Sequence, residues 1–178
     1  IGTSELAGLS AQTVADLSTL QVAALSTGQV AALTVSQLQS LTSSQIKSLS
    51  QAQIASLSTD DLTTLTQEQF ANFVTRQLAS LSASQVASLD AADLASLNTQ
   101  QLRSLSTAGV SGLEAADLAA LASDQLGALS SLQIGALGTA VISALSAETL
   151  ALLGTAQVAA LGTAQIDSLT TTQLQALS

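Results

Sequence analysis

The octapeptide Ser26-Thr27-Gly28-Gln29-Val30-Ala31-Ala32-Leu33 decides the fold, because the chain repeats it without pause. Leu recurs every eighth residue from Leu9 to Leu177, with Phe73 standing in once. A second apolar series keeps step with it: Leu6, Val14, Val22, Val30, Leu38 and Ile46, and onward to Val158, Ile166 and Leu174. Residues 2 to 177 therefore hold 22 repeats in one register, with no insertion or deletion, and every apolar slot carries Leu, Val, Ile or Phe. Internal periodicity of this kind is the signature of a stacked repeat architecture.

Numbering a repeat one to eight from Ser26, position one is Ser or Thr in 13 repeats, Gly in four, plus Asp90 and Asn98. Position four is Gln in 14 repeats, Asp at Asp61, Asp93 and Asp117, and Glu at Glu5. A hydroxyl followed three residues later by Gln or an acid is the capping-box spacing, in which the side chains at the two positions each satisfy the other's backbone amide. Its recurrence predicts a new helix at every position one. Positions five and eight are then i, i+3 neighbours on one face. Position six carries Ala, Gln39, Lys47, Arg103, Asp167 and Gln175, which suits the wet side.

One continuous helix does not fit. Eight residues make about 2.2 turns, so the apolar stripe would rotate by roughly 80° per repeat and could not face one core. A β-solenoid is the rival reading, but in a strand positions five and eight point to opposite faces. It would need a bend between them, where the residues are mostly Ala and Ser rather than Gly, Asn or Asp. The expected fold is therefore all-α, a solenoid of very short helices, one per eight-residue repeat, 22 in all. Helices this short are not stable alone in water. Each must bury its two aliphatics against neighbouring repeats.

With no linker, charge run or composition break, residues 1–178 read as a single octapeptide-repeat domain. Because the chain starts at Ile1, it reads as a fragment of a longer array. Repeat 66–73 holds both aromatics, Phe70 and Phe73, and Val74 follows where a capping residue belongs, so a local widening or bend is expected there. Leu152 and Val141 are further departures.

Composition limits function. The net charge is −9 and the only cations are Lys47, Arg76 and Arg103, which argues against nucleic acid as a partner. Mean hydropathy is +0.49, yet polar residues interrupt each apolar run well short of the ~18 residues a membrane span needs, so membrane insertion is not expected. There is no His, Cys, Met, Trp or Tyr. The usual metal and acid–base residues are thus missing, and no catalytic, cofactor-binding or metal-binding residue is assigned; the chain is not expected to be an enzyme. Ser lacks a base beyond a conceivable pairing with Lys47, and the Ser and Thr hydroxyls are accounted for by capping. Asp60-Asp61 belongs to no calcium-loop pattern. Gly135 and Gly138 make no phosphate-binding fingerprint. Phe70 and Phe73 read as core rather than as an exposed patch. Position two is Thr in 11 repeats, including Thr19, Thr27, Thr99, Thr107, Thr155 and Thr163, which raises the idea of a file matching ice or a crystalline polymer.

Leu25–Leu33 (LSTGQVAAL), Leu153–Leu161 (LGTAQVAAL) and Leu161–Leu169 (LGTAQIDSL) resemble the octapeptide arrays, L-[ST]-x-x-Q-[VIL]-x-x, of large bacterial surface and secreted adhesin-like proteins. The resemblance covers essentially the whole chain and supplies no functional residue. It implies an extracellular or cell-surface module that acts as spacer, stalk or scaffold, joined to neighbouring domains of a parent protein and open to lateral self-association. The alternative is a binding module that uses a repetitive face. A haem role, which the looser labels of such proteins suggest, has no axial ligand here.

Overall fold

The computed structural model describes residues 1–177. Twenty-two α-helices of four to six residues follow one another from α1 (Thr3–Ala7) to α22 (Thr171–Ala176), one per octapeptide, with no strand among the described residues.

Two backbone bonds define each repeat. The position-five amide donates to the position-one carbonyl, as Val30 to Ser26 at 3.0 Å, closing one α-turn. The position-eight amide then donates to the position-five carbonyl, as Leu33 to Val30 at 3.2 Å, which tightens the end of the helix to the i→i+3 pattern. Position one is extended throughout, from φ −62° and ψ 145° at Gly138 to φ −105° at Glu114 and ψ 169° at Asn98. No described residue has positive φ. The chain therefore changes direction through extended residues rather than through left-handed glycine caps, so Leu, Ser and Thr can occupy the corner.

Successive helices wind into a coil. The helix α2 (Ala11–Ala15) packs on α5 (Val35–Ser40), α3 (Thr19–Ala23) on α6 (Ser43–Ser48), and α12 (Ala91–Ala95) on α15 (Ala115–Ala120), each three repeats along. Side-chain bonds reach one repeat further, to the fourth repeat back. A turn of the coil thus holds between three and four octapeptides, and each helix packs on the helix three repeats back.

Positions five and eight fill the axis. Position five is essentially inaccessible from Leu6 to Leu150, and position eight is buried from Leu33 to Leu145. Leu9, Leu17 and Leu25 are only partly covered, as are Leu153 and Leu161. Position-eight side chains are therefore covered from both neighbouring turns, one of which is missing at each end of the described coil. Phe70 and Phe73 are both 1% exposed, with ring centroids 5.0 Å apart and planes tilted by 41°. The expected widening is not seen in the bonding there: Gln69 and Gln77 keep the same inter-turn bonds as their counterparts elsewhere. An aromatic pair replaces an aliphatic one without breaking the register.

Candidate functional surface and inter-turn seam

Each position-four Gln from Gln29 onward works at both ends of its amide. Its Oε1 accepts the position-one backbone N–H of its own repeat, for example Thr42 to Gln45 at 2.8 Å and Val74 to Gln77 at 2.8 Å. Where position one is Ser, Thr or Asn, its oxygen accepts the Gln amide N–H in return, as Gln53 to Ser50 at 3.2 Å. At Gly154, Gly162, Ala122 and Val74 only the Gln half of this exchange exists.

The Nε2 end points to the turn below. Gln37 Nε2 donates to Leu6 O at 2.9 Å and Leu9 O at 2.8 Å, and Gln77 Nε2 to Ile46 O at 2.7 Å and Leu49 O at 2.8 Å. The bond to the position-eight carbonyl, 28 residues back, recurs at Gln45, Gln53, Gln69, Gln85, Gln101, Gln125, Gln133, Gln157, Gln165 and Gln173. That carbonyl is one of the orphan acceptors a helix end leaves behind. Gln77 is 0% exposed and Gln37 1%, so the amide is fully enclosed by the partners that satisfy it. Ser at position seven adds a smaller clamp: Ser40 Oγ donates to Gln37 O and to Ala11 O of the turn below.

Every backbone–backbone bond outside the helices spans four residues or fewer, so among the described residues no backbone bond joins one turn to the next. Apolar packing and side-chain-to-carbonyl bonds hold the turns together. The sequence reading saw the capping half of the Gln and missed the inter-turn half. The signal was present, since Glu caps as well as Gln but occurs at position four only at Glu5. A preference for the amide means that a donor is needed.

Asp interrupts this seam. Asp61 Oδ2 accepts the Ser58 amide at 2.9 Å and Asp117 Oδ2 the Glu114 amide at 2.7 Å, but a carboxylate cannot donate to the turn below. Burial, together with the charge of Asp90, pushes the Asp93 carboxyl above the usual carboxylate range, against the backbone bond at Asp90. Burial likewise raises Asp117, with Glu114 and Asp90 adding to it and the Glu114 amide bond opposing. At Gly109 the seam closes differently: a Cβ there would lie 3.0 Å from Leu81 O, and at Gly112 one would lie 2.0 Å from Ala83 O. Backbone approaches backbone where a side chain would otherwise stand.

The remaining candidates are spread over the outer surface. Lys47 is exposed, and the neighbouring Ser48 hydroxyl donates to Gln45 O, so no Ser–Lys pair forms. Among the described residues no three His, Cys, Asp or Glu side chains converge as a metal-binding group, Asp60 and Asp61 included. Gly135 lies inside α17 (Ser131–Ala136), and Gly138 precedes α18 (Thr139–Ala144). The position-two threonines Thr19, Thr27, Thr99, Thr107, Thr155 and Thr163 are exposed. Helices pack three repeats apart, so the position-two residues in line with Thr27 are Gln51, Thr75 and Thr99, and the threonines along such a column are interrupted. An open concavity of about 440 Å³ is lined by Arg103, Gly127, Ser130, Ser131, Gly154 and Thr155, among others. Leu20 and Leu132, 81% and 77% exposed, are isolated apolar residues on the outside.

A family model described as the ALTTAQ repeat matches residues 1–35, 110–147 and 148–178, together more than half of the chain. No curated protein matches it.

Proposed function

The chain belongs to the ALTTAQ repeat family, and from that premise we propose that this structural repeat array serves as a spacer or scaffold, a stalk that sets a distance between flanking domains. One observation carries the reading. The Gln Nε2 bond to the carbonyl 28 residues back recurs in the same form from Gln37 to Gln173. The same device recurs from turn to turn along the coil, so length accumulates by copying repeats. Stability in such arrays is a sum of repeat and nearest-neighbour terms, which suits a part selected for reach.

The surface and secreted setting comes from the likeness of L-[ST]-x-x-Q-[VIL]-x-x to bacterial adhesin-like arrays, and we propose an extracellular or surface-attached location on that ground. The inferred partners are neighbouring domains of the same polypeptide, with lateral contact between arrays through exposed Leu20 and Leu132 as a further possibility. We assign no catalysis: the polar side chains that are buried, the glutamines above all, are occupied in joining turns.

Small-angle scattering on the whole chain and on versions lengthened by duplicated internal repeats tests the reading. A spacer gains the same increment in longest dimension per added repeat at constant cross-section. A length that levels off, or a cross-section that grows, would sink it.

A further inference from the structure

Two acidic pairs occupy consecutive turns of the coil where α12 packs on α15. Asp90 and Asp93 stand at positions one and four of one repeat, Glu114 and Asp117 at positions one and four of the repeat three along. Asp117 is 7% exposed. By the register that Gln77 and Gln85 establish, Asp117 holds the repeat position from which a Gln would donate to Leu89 O, and Asp93 the corresponding position over Leu65 O. Among the described residues neither carbonyl receives a donor, whereas Leu49 O and Leu57 O, in the same place elsewhere, do. Asp90 follows Leu89 directly, which sets its charge beside the Asp117 carboxylate.

We propose that two successive joints, α12 on α9 (Gln67–Ala71) and α15 on α12, form an acid-closed seam, loosened at neutral pH by the Asp93 and Asp117 carboxylates respectively and tightened when they take up protons. Protonation acts twice. It removes charge from a partly desolvated site that already holds Asp90 and Glu114, and it turns an acceptor-only group into one with an O–H to donate, as the Gln amide does elsewhere. The elements around the two joints do not oppose this. Neither α11 (Ala83–Ala87) nor α18 carries a titratable residue; α9 brings Glu68, which is exposed, and α8 (Thr59–Thr64) brings Asp60 and Asp61. Every titratable group in these elements is another acid, and Lys47, Arg76 and Arg103 lie outside them.

The sign follows from linkage. Both carboxyls are raised in the fold, so the folded chain binds more protons than the unfolded one between the ordinary carboxylate range and the raised values. The stability these two carboxyls contribute is then fully present below the ordinary range and is lost as pH rises through the raised values. Glu148, exposed and lowered by its hydrogen bonds, acts in the opposite sense. This is the reverse of common acid unfolding. Each unit by which folding raises a carboxyl corresponds to about a tenfold change in the folding equilibrium. The inference concerns the fold's own response to pH and stands apart from the spacer reading.

Urea unfolding of the full chain, followed by helix signal at a series of pH values from neutral down to the carboxylate range, tests it. The wild-type midpoint should rise on acidification. Asp117→Gln should be more stable than wild type at neutral pH and show a smaller rise, and the D93Q/D117Q double variant should show almost none. Asp117→Asn gives the same loss of response without a longer side chain, in case Gln disturbs the fold. Asp124→Asn, exposed and outside the two joints, should keep the full response. A wild-type midpoint that stays level or falls on acidification would overturn the proposal, as would a double variant that retains the rise.

Discussion

Gln77→Ala isolates what the inter-turn amide contributes. Gln77 is 0% exposed and follows Val74, whose side chain has no oxygen to cap the helix, so Gln77 is the only side chain serving that corner. It accepts from Val74 N at 2.8 Å and donates to Ile46 O at 2.7 Å and Leu49 O at 2.8 Å. After substitution Ile46 O keeps its backbone donor, the Leu49 amide at 3.2 Å. Val74 N–H and Leu49 O are left without partners. Each orphaned buried group costs about 1–3 kcal/mol, so the loss should be about 2–6 kcal/mol. Gln21→Ala is the internal comparison. Gln21 accepts from Ser18 N at 2.8 Å but lies exposed in the first turn, with no turn below it, and its loss should cost about 1 kcal/mol or less. The assay is urea unfolding of the full chain for both variants, with native-state hydrogen exchange to locate the loosened amides, since repeat arrays need not unfold in one step. Exchange in Gln77→Ala should quicken at α6 and α10 (Thr75–Leu78), the helices on either side of the lost bond. Equal effects from the two variants would refute the reasoning, because capping alone predicts the same loss at both.

Two further outcomes follow from packing. Gly112→Ala should destabilise by about 1–3 kcal/mol or more, since its Cβ would fall 2.0 Å from Ala83 O, whereas Gly28→Ala, with nothing within 4 Å of its Cβ, should stabilise by about 0.4–1 kcal/mol; thermal unfolding of the pair checks both signs. Phe70→Ala should cost about 3–5 kcal/mol, because the ring is 1% exposed and stacked on Phe73, and a loss under about 1 kcal/mol in urea unfolding would place the ring outside the core.

Most of the architecture is legible in the residues because the determinants of a repeat are local. Ser26, Gln29, Val30 and Leu33 carry the cap, the face and the closing bond of one helix within eight residues. What the sequence does not carry locally is the number of repeats per turn. That depends on how Leu38 and Leu41 seat against the helices of the preceding turn, a contact between residues some 28 apart whose register no single octapeptide encodes. The same blindness hid the second role of Gln37, whose partners Leu6 O and Leu9 O are identifiable only once the coil is closed. It also led to the expected bend at Phe70 and Phe73, since without the turn below there was no way to see that an aromatic pair fits the axis.

Position four, then, is where sequence and coil meet, and its chemistry explains why so few residue types appear there. The site must accept one N–H from its own repeat and donate to a carbonyl of another turn, over a reach that spans the gap between them. Gln does both. Glu and Asp can only accept, Thr149 and Thr13 use their hydroxyls on their own caps at Ser146 and Ser10, and Val141 does neither. A repeat with any of these keeps its helix and weakens its joint, because helix formation is a matter within eight residues and joining is not. The departures from Gln at Asp61, Asp93, Asp117, Val141 and Thr149 therefore mark the turns that separate first under load or denaturant, while the helices on either side persist.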